Sequence, residues 1–304
     1  IAWEKIKIAF SDEYILPLPA DHKFPIQKYK MIPERLLSEK IISKCNLFSP
    51  GFADRSIIEI THDADYVKRL LSNQLSEREI RKIGFPQSKE LVEREFIISN
   101  GTVKGSLLAL ENGISLNIAG GTHHAYKDRG EGFCIFNDAA VAANYLLSRN
   151  YVNQILVVDL DVHQGNGTAK IFEDNNSVFT FSMHGESNYP LYKEKSDYDI
   201  PLKSGTDDET YLSMLYKTLP DLIEKVKPDF IFYISGVDIL HTDKWGKLGM
   251  TIEGSLRRDQ FVFEEAYKNN IPIMVSMGGG YSPNIEDIVE AHCNTYKAAF
   301  EIFS

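Results

Sequence analysis

Short, nearly continuous apolar runs alternate along the chain with longer segments in which apolar residues recur every three or four positions. The runs at 6–10, 57–60, 116–119, 155–160, 178–182, 230–235 and 273–277 predict strands. Their unbroken hydrophobicity suits strands covered on both faces, as in a parallel sheet. The segments at 33–45, 64–71, 88–110, 137–148, 207–226, 255–268 and 284–303 have helical length and period. Such alternation predicts an α/β fold with a mainly parallel, doubly wound sheet flanked by helices. No repeat, low-complexity tract or Pro/Gly/Ser-rich linker interrupts it, so residues 1–304 are expected to form a single domain. The stretches at 16–31, 80–87 and 184–204 lack a regular period and are expected to be functional loops.

Composition narrows the class. With 304 residues, 43% hydrophobic and 25% charged, the chain is long enough for one large globular core. It offers no continuous apolar stretch of membrane-spanning length, and its first residues lack the basic-then-apolar layout of a signal peptide, so a cytoplasmic protein is expected. Cys45, Cys134 and Cys293 stand far apart in no CxxC spacing, which argues against a disulfide framework or a cysteine zinc site. A net charge of −10 opposes direct binding to nucleic acid, while an acidic surface can attract cationic substrates such as lysine-rich segments or polyamines.

Chemistry-bearing residues gather where predicted strands end. Gly120-Gly121-Thr122-His123-His124 follows the third run, and Asp159-Leu160-Asp161-Val162-His163-Gln164-Gly165-Asn166-Gly167 follows the fourth. In an open α/β sheet, ligands bind at that carboxyl edge. Asp161-x-His163 in extended backbone points a carboxylate and an imidazole the same way, so both can close on one metal ion. Ser182-Met183-His184, Gly236-Val237-Asp238 with Asp243 beyond it, and Gly278-Gly279-Gly280-Tyr281 end three further runs. Taken singly, His22, His62, His184, His241 and His292 read as surface or satisfied structural histidines.

These five loops, in this order, resemble the histone deacetylase family and its arginase-like α/β fold. The resemblance extends from Tyr14-Ile15-Leu16-Pro17-Leu18-Pro19 through Thr61-His62-Asp63-Ala64-Asp65-Tyr66 to the Gly278–Tyr281 loop. Asp128-Arg129-Gly130-Glu131-Gly132-Phe133-Cys134 and Gln164-Gly165-Asn166-Gly167 are similar to the class IV branch and its bacterial relatives. The resemblance implies one zinc per chain on Asp161, His163 and Asp243. It implies His124 as general base, His123 held by Asp159, and Tyr281 as donor to the oxyanion. It also implies a structural potassium ion on Asp159, Ser182, Met183 and the carbonyls of Asp161 and His163, with a second cation near Phe172, Asn175 and Val178. Gly132, Phe133, Tyr189 and Met250 match positions lining the family's acyl channel.

Three protein ligands leave coordination open for water and substrate, which marks a catalytic site. The expected activity is removal of acetyl or longer fatty acyl groups from lysine side chains or related amines, long chains being favoured in class IV. Two departures bear on it. Asn166 stands where most deacetylases place an aspartate beside the second histidine, leaving His124 easier to deprotonate. Gly84-Phe85-Pro86-Gln87 lacks the aspartate with which peptide-acting members grip a substrate backbone. An acetylpolyamine or small-molecule amide deacetylase, a dimanganese ureohydrolase and a silent acyl-lysine binder are the competing readings.

Overall fold

The computed structural model describes residues 2–304. Among them, eight strands form one sheet: β1 (Lys7–Ala9), β2 (Leu47–Phe48), β3 (Ile114–Asn117), β4 (Ile155–Asp159), β5 (Val178–Gly185), β6 (Tyr198–Leu202), β7 (Phe230–Ser235) and β8 (Ile273–Met277). Their spatial order is β2-β1-β3-β8-β7-β4-β5-β6, and every neighbouring pair is parallel. Every residue of the central strands β3, β8, β7 and β4 is buried, which explains why they appear as unbroken apolar runs. The loops that leave these four strands at their carboxyl ends are therefore neighbours.

Ten α-helices flank the sheet among the described residues: α1 (Lys28–Ser38), α2 (Arg55–Ile58), α3 (Ala64–Leu71), α4 (Glu77–Ile83), α5 (Lys89–Asn112), α6 (Asp138–Ser148), α7 (Asn166–Ile171), α8 (Asp208–Val226), α9 (Ile252–Lys268) and α10 (Ile285–Phe303). Their ends follow local chemistry. Ser88, Asn137, Asp207, Thr251 and Asn284 each cap a helix by accepting a backbone N–H. No helix is long and apolar enough to cross a membrane among the described residues.

Four expectations need correction. The run at 57–60 is not a strand; Asp54 accepts the Ser56 N–H at 3.0 Å and starts α2 there. The segment at 80–87 opens inside α4, which the Ser76/Glu79 capping box begins. The stretch at 184–204 contains β6, an edge strand with one buried residue and thus no apolar run. The first helix is α1, starting at Lys28 and ending at Ser38 rather than spanning 33–45.

Candidate metal centre and active site

Beyond β3 the chain turns through Gly120 (φ +84°) and Gly121 (φ +68°), backbone that favours glycine. Asp138, the fully buried first residue of α6, pins this turn. Its carboxylate accepts the Thr122 N–H at 3.1 Å and hydroxyls of Thr122, Thr102 and Ser276 at 3.0, 2.7 and 2.7 Å. A Cβ on Gly120 would strike this carboxylate. The turn delivers His123 and His124, both buried, to the end of β4.

Each histidine has one fixed partner. His123 Nδ1 lies 2.5 Å from Asp159 Oδ2, so the expected pairing is present. Burial opposes a charge on His123, but Asp159 and then Asp161 outweigh it and lift its pKa to about 9. His124 Nδ1 lies 2.6 Å from Asn166 Oδ1. Asn166 Nδ2 donates to the Tyr126 hydroxyl at 3.1 Å, and that hydroxyl donates to Glu194 at 3.1 Å. This relay sets the amide so that Oδ1 can only accept, which puts the His124 proton on Nδ1 and leaves Nε2 a free base. Burial first, then the charges of His123 and His163, hold the His124 pKa well below the usual imidazole value.

The loops after β4 and β7 bring together Asp161, His163 and Asp238, whose ligand atoms lie within 4.8 Å of one another, all buried. His163 Nδ1 sits 3.1 Å from Asp161 Oδ1 and 3.1 Å from Asp238 Oδ2. Asp161 is oriented by the Gly279 N–H at 2.7 Å and the His163 N–H at 2.9 Å. Asp238 Oδ1 accepts the Val162 N–H at 2.9 Å, whereas its Oδ2 is buried without a hydrogen bond. Burial and the Asp161 charge push Asp238 up to about 7. Burial also disfavours a charged His163, yet the two carboxylates raise it to about 10. A trio that holds a proton so tightly, with one carboxylate oxygen unsatisfied, fits a divalent cation. A Cβ on Gly279 would strike Asp238 Oδ2, so glycine is needed there.

Asp243 does not join this trio. Its Oδ1 accepts N–H groups of Trp245 and Gly246 at 2.9 and 2.7 Å, and its Oδ2 accepts that of Tyr281 at 2.7 Å. These bonds tie the Asp243 carboxylate to the loops that carry Trp245 and Tyr281. Asp238, and not Asp243, is the carboxylate that joins Asp161 at 3.1 Å from His163 Nδ1. Its signal in the sequence was its seat three residues beyond β7, close to the depth of Asp161 two residues beyond β4, in strands that pair Asp159 with Ile234.

An outer chamber of about 370 Å³ leads in from the surface, lined by Phe133, Tyr189 and Trp245 and ending on His124, His163 and Tyr281. Trp245 stacks on Phe133 with an interplanar angle of 21° and packs 4.5 Å from the Tyr281 ring. Tyr189 stands edge-on to His124 at 4.9 Å and donates to Glu131 at 2.8 Å. Gly132 lies against His124, where a Cβ would meet the ring at 3.0 Å. Met250 is elsewhere: fully buried, it bridges to Leu240, and Trp245 lines the chamber instead. Beyond the trio an inner cavity of about 40 Å³ continues to Lys28, Tyr29 and Arg94. Ser182, paired in register with Asp159, has its hydroxyl 2.9 Å from His184 Nδ1, and Met183 is buried beside it.

A family model described as the histone deacetylase domain matches residues 22–296. The chain belongs to the histone deacetylase family. As such it is 41% identical over 296 residues to an uncharacterized protein of Picosynechococcus sp., covering 97% of this chain and 99% of that one. Histone deacetylase 2 of Arabidopsis thaliana is 29% identical over 290 residues, 91% of this chain and 75% of its own. Acetoin utilization protein AcuC of Staphylococcus aureus is 30% identical over 285 residues, 86% and 73% of the two chains. The crystal structure of the HDA15 HD domain superposes with a TM-score of 0.82, covering 97% of this chain and 88% of that one at 20% identity, which shows the shared fold. Membership of the histone deacetylase family supports hydrolytic deacetylase chemistry, and the family is generally zinc-dependent.

Proposed function

We propose that the protein is a zinc-dependent amidohydrolase that removes short acyl groups from lysine side chains or related amines. The observation that carries this reading is the buried Asp161–His163–Asp238 trio set beside a neutral His124 at the inner end of an aromatic chamber. Asp161, His163 and Asp238 would hold the zinc, with potassium on Asp159, Ser182 and Met183 stiffening the floor. Bound there, zinc supplies Lewis acidity to the amide carbonyl and to water.

The protein's own groups do the rest. His124 Nε2 takes a proton from the attacking water as its oxygen bonds to the carbonyl carbon, and later gives that proton to the amine as the C–N bond breaks. The Nδ1 proton stays on His124 throughout, donated to Asn166 Oδ1. His123, charged and fixed by Asp159, stabilises the negative charge that builds on the carbonyl oxygen. Tyr281, kept protonated by burial and by the nearby Asp238 and Asp161, donates its hydroxyl to that oxygen.

An amide whose carbonyl reaches the trio from outside has its amine in the outer chamber and its acyl group in the inner cavity. About 40 Å³ there accommodates a few non-hydrogen atoms, which favours short acyl groups over the long chains expected from the class IV-like motifs. The Gly84–Gln87 segment carries no carboxylate, and its buried Phe85 packs 5.1 Å from the Phe133 ring, so recognition of an extended peptide backbone is not part of this reading. Elemental analysis and a fluorogenic acyl-lysine assay test it. About one zinc per chain with amide hydrolysis is expected, and two manganese ions with urea released from arginine would overturn it.

A further inference from the structure

The inner cavity ends on a lysine that the proposed chemistry does not use. Lys28 is 1% exposed, and no described carboxylate forms an ion pair with it. Its ammonium lies instead 5.3 Å from the ring centroid of Tyr29, 5.4 Å from Phe24 and 5.8 Å from Tyr281. It is also the first residue of α1, where the helix dipole is positive and a cation is disfavoured. Arg94, the other cation on this cavity, differs: Glu95 at 2.6 Å and the Tyr14 carbonyl at 2.8 Å satisfy it. A buried ammonium without a counter-ion is expensive, and three aromatic faces compensate only partly. Its stability is explained if an anion occupies the cavity during the working cycle.

Resting on the deacylase reading above, we infer that Lys28 selects acyl groups that carry a terminal carboxylate, the succinyl class, over neutral acyl groups of the same shape. The acyl side of a bound amide points into this cavity, whose volume of about 40 Å³ holds about three waters and so suits a tail of a few non-hydrogen atoms. The tail carboxylate pairs with the Lys28 ammonium where water is excluded, and the aromatic rings wall its methylenes. The covalent step is unchanged: water adds its oxygen to the carbonyl carbon, the C–N bond breaks, and the amine leaves with the proton while succinate remains.

The test compares kcat/KM of the zinc-loaded enzyme on one peptide bearing succinyl-lysine or 4-methylpentanoyl-lysine, whose tails match in shape and differ in charge. The succinyl substrate is expected to be favoured at least about tenfold, and Lys28→Met to bring the ratio to one or below. A binding readout stands apart from turnover and from the variant's folding. By calorimetry, succinate should bind the unmutated protein more tightly than 4-methylpentanoate by a similar factor. Equal or inverted preference in the unmutated enzyme overturns the inference, as does a ratio that Lys28→Met leaves unmoved, since Lys28 would then serve all substrates alike. Hydrolysis of acetyl-lysine without preference for succinyl sinks this inference alone. Failure of every acyl-lysine, acetyl included, sinks the deacylase reading beneath it.

Discussion

Asp238 and Asp243 are both buried carboxylates five positions apart, and their hydrogen bonds give them different work. Asp243 accepts the N–H groups of Trp245, Gly246 and Tyr281, while Asp238 keeps one oxygen free beside His163. Asp238→Ala is therefore expected to lose zinc, by an amount that elemental analysis after dialysis reads as well under one ion per chain. Asp243→Ala should keep most of its zinc but lose turnover by about tenfold or more, because the Tyr281 backbone is released. The opposite pattern of metal loss would assign Asp243 rather than Asp238 to the ligand set. Spacing alone could not separate the two, since either aspartate follows a strand end within reach. His124 was easier to read: tandem histidines after a strand, with Asn166 in the next loop, give a pair that the structure places at 2.6 Å. Asn166→Asp puts a carboxylate where a neutral amide now holds the Nδ1 proton. A negative partner favours imidazolium, so the pKa of His124 rises and the acid limb of the kcat/KM profile should move to higher pH. An unmoved limb would detach Asn166 from the base.

At the scale of elements, the site depends on one helix that contributes no proposed ligand. Arg258 of α9, wholly buried, donates to the carbonyls of Leu160 at 3.1 Å and Gly236 at 2.6 Å, and to the Ser235 hydroxyl at 3.1 Å. Those groups lie just ahead of Asp161 and Asp238, so α9 clamps the ends of β4 and β7 together. Asp259 balances the arginine at 2.8 Å and also receives hydroxyls of Tyr233 and Thr295. Arg258→Met keeps the volume but leaves Asp259 charged and uncompensated, which is expected to lower stability by about 3–5 kcal/mol in urea unfolding. Loss below about 1 kcal/mol would mean the network is not under this strain. The sequence showed β4 and β7 clearly, because strands covered on both faces must be apolar throughout. It hid α9's role, because a buried arginine at 258 reads as a solvated face of a helix. It also hid β6, whose edge position leaves Tyr198 and Asp199 outside the core, and it misplaced α2, whose two isoleucines mimic a strand while Asp54 caps a helix.

For the whole molecule, buried neutral histidines tie folding to pH. His62 lies under Phe136, with ring centroids 5.2 Å apart, and its Nε2 accepts the Asn137 N–H at 3.0 Å. Burial lowers its pKa to about 4, against about 6.5 in an unfolded chain. Between those values the unfolded state binds the extra proton, so stability is full above pH 6.5 and is lost as pH falls toward 4. The span corresponds to about 3 kcal/mol in all, and about 2 kcal/mol of it disappears by pH 5. Asp238 works in the opposite sense when no cation is bound, since a carboxyl raised to about 7 takes up its proton earlier in the folded state and adds stability as pH falls. The His62 share is therefore read as a difference. Urea unfolding of the unmutated protein and of His62→Gln at pH 7 and pH 5, both metal-free, should show the unmutated chain losing about 2 kcal/mol more than the variant over that interval. Parallel losses in the two proteins would place His62 in contact with water in the folded state.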